Sequence, residues 1–191
     1  MTTLLSAAAK GGADTVARLL GRGADANEKD ATDGTTSLIA ASVRGHLPVV
    51  ELLLLNGAGV DLSNKRGYTP LMGAAREGWN EIVLSLLRHG AEPNARDEAG
   101  CTSLVWAAGY SPNEAVVDTL LDAGADPNAA AADGTTALMW AAGAGHVPHA
   151  AALLRRGAVL ATKDRRGRTA RDLAVERDRP LIVELLDRPL V

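Results

Sequence analysis

The chain has no phenylalanine, and three tryptophans and two tyrosines are its only aromatic residues. Any core must therefore be aliphatic, and a hydrophobic content of 47% over 191 residues supplies enough Leu, Val, Ile and Ala for one. A single cysteine, Cys101, excludes an intramolecular disulfide and fits a reducing compartment. No apolar run approaches a membrane span: residues 52–55 are bounded by Glu51 and Asn56. The first five residues show no basic stretch leading into an apolar core, so no secretory signal and no membrane association are expected, and the cytoplasm is the expected location. A net charge of −3 offers nucleic acid no general attraction. Residues 97–154 contain no Lys or Arg at all, against seven acidic residues. Before that block 10 basic and 10 acidic side chains balance, and residues 155–191 carry 10 basic against 6 acidic. The chain is thus neutral, then acidic, then basic, which is either solvated surface or a recognition surface.

What the chain does contain is a repeated phrase. Gly34-Thr35-Thr36-Ser37-Leu38 recurs from Gly67, Gly100, Gly134 and Gly167, at steps of 33, 33, 34 and 33 residues. An Ala pair or its variant follows in each copy, then a Leu pair such as Leu53-Leu54 or Leu86-Leu87, and stop glycines recur at Gly23, Gly57, Gly90, Gly124 and Gly157 but not in the last copy. A fixed period of this length means stacked supersecondary units, each unable to bury its apolar face alone. The expected boundaries are approximately 1–32, 33–65, 66–98, 99–132, 133–165 and 166–191, in one domain spanning 1–191 with no linker.

The third unit explains the pattern. Thr69 is suited to an N-cap, and Pro70 to the first helical position, where no N–H is needed. Leu71, Ala74 and Ala75 then share one face of a short helix. Gly78 ends that helix and Asn80 is expected to cap the next, whose apolar face is Ile82, Val83, Leu86 and Leu87. Gly90 supplies the left-handed residue that follows.

Gly67-x-Thr69-Pro70-Leu71-x-x-Ala74-Ala75 and Gly90-Ala91-Glu92-Pro93-Asn94 resemble the ankyrin repeat, and the resemblance covers nearly the whole chain. It implies an all-α solenoid of about six helix-turn-helix repeats, with β-hairpin-like fingers on one side and a concave face of fingers and first helices. The histidine usual after the Thr-Pro-Leu triplet is replaced by Ile39, Met72, Val105 and Met139. Repeat four has one extra residue within 109–114, and the polar residues Arg171, Glu176, Arg177, Asp178 and Arg179 give repeat six the character of a terminal cap.

No catalytic, nucleotide or metal motif is present. His46, His89, His146 and His149 fall in no ligand spacing with Cys101 or paired acids, and the glycines are not clustered before a lysine. Cys101 follows a finger glycine and is expected at the surface, without an activating base tied to it in sequence. No cofactor is implied. The chain is therefore read as a non-enzyme.

The aromatic residues are the sharper signal, because all five lie in repeats three to five. Trp106 and Trp140 share one repeat position, each directly before an Ala pair; Ala40 and Gly73 occupy it in repeats two and three. Tyr110 lies one turn beyond Trp106, and Tyr68 follows a finger glycine. Tyr68, Arg76, Glu77, Trp106, Tyr110, Trp140 and Arg168 are the expected partner-binding residues. Two arrangements of the tryptophans are open, packing between repeats or facing the groove, and their ring centres are expected on the order of 10 Å apart from the spacing of neighbouring helices. The expected function is a protein-interaction module holding an unidentified protein on the concave face. The alternative is a small-molecule or catalytic groove lined by the same rings, with Arg44 and Arg168 among its polar groups.

Overall fold

The computed structural model describes residues 3–187. Among them are twelve α-helices and no strand. They run in pairs: α1 (Leu4–Ala9) with α2 (Ala13–Leu20), α3 (Ser37–Val43) with α4 (Leu47–Leu55), and α5 (Pro70–Glu77) with α6 (Asn80–Arg88). The second half continues with α7 (Ser103–Tyr110) and α8 (Ala115–Asp122), α9 (Ala137–Ala144) and α10 (Val147–Arg155), and α11 (Ala170–Glu176) and α12 (Pro180–Asp187). The odd-numbered helices pack in one row and the even-numbered in a second. The resulting all-α repeat solenoid is the architecture that the sequence period implies.

Each first helix starts for the same reason. Thr3, Thr36, Thr69, Thr102, Thr136 and Thr169 are N-caps whose hydroxyls accept from the backbone N–H three residues on. The alanine pairs Ala74-Ala75, Ala107-Ala108 and Ala141-Ala142 have no accessible surface, which brings successive first helices close together. One continuous, largely aliphatic cluster runs from Leu4 to Leu186 and includes the buried thioether of Met139; Met72 is fully buried as well.

The second helices start differently, and here an expectation fails. Asn80 does not cap α6: it lies inside the helix, and its Oδ1 accepts from the Thr119 hydroxyl on α8 (2.9 Å). The cap position belongs to Trp79, which makes no side-chain cap bond. Its ring is committed elsewhere, since Nε1–H donates to the Val43 carbonyl at the end of α3 (3.1 Å). The same repeat position closes the preceding first helix at other steps. His46 bonds to the Ala9 carbonyl, His146 to Ala108 and Arg179 to Gly143. In repeat four the extra residue shifts the count by one, and Asn113 donates to Gly78 (3.1 Å) in the same role. These bonds satisfy carbonyls that a helix end leaves without intrahelical partners.

Two further seams join neighbours. On the finger side, one backbone bond links each finger to the one before it: Lys65 N–H to Asp33 O, Glu98 to Arg66, Ala132 to Ala99 and Arg165 to Asp133, all 2.8–2.9 Å. In the loops after the second helices, Asn27, Asn94 and Asn128 each donate through Nδ2 to a glycine carbonyl of the next repeat and accept a backbone N–H through Oδ1. Asp61 holds this position between repeats two and three and only accepts, from Glu92 N–H.

Candidate functional site

The first helices and fingers bring four of the five aromatic residues into one array. Trp106 on α7 and Trp140 on α9 have ring centroids 6.5 Å apart, closer than the helix spacing alone suggests, because the two side chains lean toward each other. Tyr110 lies 5.6 Å from Trp106 and 5.6 Å from Trp140, so the three rings form a triangle. Tyr68, on the finger leading into α5, meets Trp106 edge-on at 5.7 Å. These separations fall within the range of favourable ring pairs.

Each indole is fixed by its own finger. Trp106 Nε1–H donates to Asp97 Oδ2 (3.0 Å), while Asp97 Oδ1 accepts the Cys101 N–H (2.8 Å). Trp140 Nε1–H donates to the Thr135 hydroxyl (3.0 Å), which in turn donates to Asp133 Oδ1 (2.6 Å). These hydroxyl and backbone bonds from Thr135 lower the pKa of the Asp133 carboxyl. Trp140 also rests on the backbone of α7: a Cβ added at Gly109 would stand 2.8 Å from its Cε3. Both tryptophans are half-buried, and Tyr110 is 47% exposed. They therefore pack between repeats and keep accessible surface as well.

Arg76 covers part of the array. Its Cζ is 5.7 Å from the Trp106 centroid and 5.4 Å from that of Tyr110, within cation–π range. Glu77 is 3.7 Å from the same guanidinium. The Tyr68 hydroxyl is buried and has no hydrogen bond of good geometry. Burial raises its pKa, and the nearby Arg76 charge offsets part of that rise.

Arg168 does not stack on the rings but borders, with Trp140, a cleft beside Leu173. It pairs with Asp164 (2.8 Å) and Glu176 (3.0 Å), a network that fixes the last finger against α11. Arg44 lines a different cleft of about 380 Å³ beside Ala40, Val43 and Tyr68, where alanine at the tryptophan position leaves space. Cys101 is buried, contrary to its expected exposure, because its side chain turns under the finger into the core. Burial and the nearby Asp97 and Asp133 push its thiol up to about 11, which leaves little thiolate near neutral pH. Among the described residues no group of three or more His, Cys, Asp or Glu is placed to hold a metal. No helix among them is long and apolar enough to cross a membrane.

Sequence reasoning missed Asp97, Thr135 and Arg177. The first two anchor the indoles, and Arg177 lies over Gly143. The paired glycines Gly109 and Gly143, at one repeat position, were the available signal.

A family model for ankyrin repeats (3 copies) matches residues 4–97, 47–131 and 104–188. The chain belongs to the ankyrin repeat family. No curated protein matches it closely. Ankyrin repeats generally mediate protein–protein interaction and are typically non-catalytic.

Proposed function

We propose that residues 1–191 act as one non-catalytic ankyrin module that holds a protein segment on the concave face. Tyr68, Arg76, Glu77, Trp106, Tyr110 and Trp140 form its contact surface, and Arg168 lies at its edge. The observation that carries this reading is the half-exposed array of four rings drawn from three repeats, with a guanidinium stacked upon it. Rings and arginine are the residue types that dominate binding energy at protein interfaces. The lone buried thiol suits a reducing compartment, and the cytoplasm is the location this reading assigns.

Affinity capture from the native lysate tests it, with wild type, Trp106→Ala, Trp140→Ala and Tyr110→Ala as baits. Each variant should lose more than about 2 kcal/mol of binding to a captured protein. Tyr110 is the cleanest probe because its exposure limits the cost of its removal to the fold. Undiminished capture by a folded Tyr110→Ala and a folded Trp106→Ala overturns the assignment. The cleft beside Arg44 favours a second reading, a small-molecule groove, which saturable binding of a metabolite there would support.

A further inference from the structure

We propose that the cleft between α9 and α11 receives an aromatic side chain with a ring hydrogen-bond donor, tyrosine or tryptophan, presented by a segment of a partner protein. The inference rests on the interaction reading above and specifies what one part of the surface takes.

The repeat register carries the argument. Gly73, Trp106, Trp140 and Leu173 occupy one position, and Gly109 and Gly143 share another. Between repeats four and five the Trp140 ring fills the space that Gly109 leaves open. Between repeats five and six Gly143 again lacks a Cβ, but the residue in register with Trp140 is the smaller Leu173, and the Arg177 side chain lies over Gly143 instead. A cleft of about 250 Å³ remains, walled by Met139, Trp140 and Leu173. It is smaller than the roughly 300–1,000 Å³ of pockets that hold drug-sized ligands, and suits a single side chain.

The polar groups select the kind of side chain. Arg177 borders the cleft, and its Nη1 would be 3.2 Å from a Cβ at Gly143. It forms no ion pair among the described residues. A ring entering here would have an indole on one side and a guanidinium on the other, two surfaces that favour stacking. Arg168 is already neutralised by Asp164 and Glu176, and Asp133 stands on the rim, so the cleft does not select an anion. The fingers at Asp97 and Thr135 each accept an indole N–H from the tryptophan of their own repeat. Asp133 Oδ1 is taken by Thr135, whereas Oδ2 makes no bond among the described residues and is available to a phenol or indole donor.

Titration with N-acetyltyrosinamide, N-acetyltryptophanamide, N-acetylphenylalaninamide and N-acetylleucinamide tests this, read by NMR at the Trp140 indole N–H and the Leu173 methyls. The tyrosine and tryptophan probes should shift both sites saturably and bind at least about fivefold tighter than the leucine probe. Leu173→Trp should fill the cleft from within and weaken the tryptophan probe at least about tenfold. Asp133→Asn, whose Oδ1 can still accept from Thr135 while Nδ2 replaces the free acceptor, should bring the tryptophan probe, whose ring N–H can only donate, down toward the level of phenylalanine. No saturable shift, or equal binding by a folded Leu173→Trp, overturns the proposal. If capture through Trp106 and Tyr110 persists in that case, only the cleft assignment fails. Cleft binding without any such capture would overturn the interaction reading of the ring array instead.

Discussion

Trp79 donates its indole N–H to the carbonyl of Val43, 36 residues earlier, and its ring rests on Gly45 of the same preceding repeat. Trp79→Phe removes the bond and trims the ring that lies on Gly45; because the site is 43% exposed, water reaches the freed carbonyl, and a loss of about 0.5–1.5 kcal/mol is expected. Gly45→Ala would place a Cβ 2.7 Å from the ring at φ +78, and should cost more than about 2 kcal/mol. Urea unfolding of the two variants measures both, and a smaller loss for Gly45→Ala than for Trp79→Phe would contradict this ordering.

Gly109→Ala sets two effects against each other. Alanine in a helix gains about 1 kcal/mol over glycine from backbone entropy. The new Cβ would meet Trp140, which cannot retreat easily while its N–H is held by Thr135 and its ring by Tyr110 and Trp106. Overpacking of this kind costs about 1–3 kcal/mol, so a small net destabilisation with altered tryptophan fluorescence is expected. A clear gain in denaturation midpoint would show that the indole moves freely.

Asp61→Asn should stabilise the fold. Asparagine at the corresponding positions 27, 94 and 128 both donates and accepts across the repeat boundary, whereas Asp61 accepts alone. Restoring a donor toward the Gly90 carbonyl adds one hydrogen bond, worth about 0.5–1.5 kcal/mol. A denaturation midpoint at or below wild type would refute this.

His149 makes stability fall with acid. Its ring is buried, has no hydrogen bond of good geometry, and meets His146 edge-on at 4.9 Å. Burial, and then the charge of His146, lower its pKa below the ordinary 6.5; the nearby Glu114 and the backbone at Asn113 and Ala108 oppose this without reversing it. The unfolded chain therefore binds the proton more readily than the folded one, and stability decreases as pH falls from about 6.5 toward the lower folded value. Unfolding midpoints between about pH 7.5 and 5.5 should decline less in His149→Phe than in wild type. Equal slopes would assign the pH dependence to other groups.

The contributions that act within one repeat were legible in the sequence. Thr69 and its counterparts cap helices by a bond three residues long, and Gly90 is left-handed as its place after the Leu pair requires. The features that failed depend on the next repeat. Asn80 reads as a cap until Thr119 takes its oxygen. Cys101 reads as exposed until the core closes around it. Trp106 and Trp140 are nearer than helix axes suggest, because the direction in which a long side chain leans is set by its neighbours: Thr135, Asp97 and the missing Cβ of Gly109. Within the repeat register, positions 106 and 140 carry tryptophan where positions 40, 73 and 173 carry alanine, glycine and leucine, so the array differs from one repeat to the next.

The two inter-repeat seams differ in what a side-chain substitution can remove. The finger seam joins peptide groups, with side-chain ties beside them from Lys29 to the Ser63 carbonyl, from Lys65 to those of Ala31 and Thr32, and from Arg96 to that of Ala130. The loop seam is made by side chains at positions 27, 61, 94 and 128, and each can be strengthened or cut singly. Side chains therefore tie both edges, but only the finger edge keeps peptide bonds when those side chains are removed. With its half-made tie at Asp61, the boundary between repeats two and three is the one of these four steps whose loop edge lacks the bond to a glycine carbonyl.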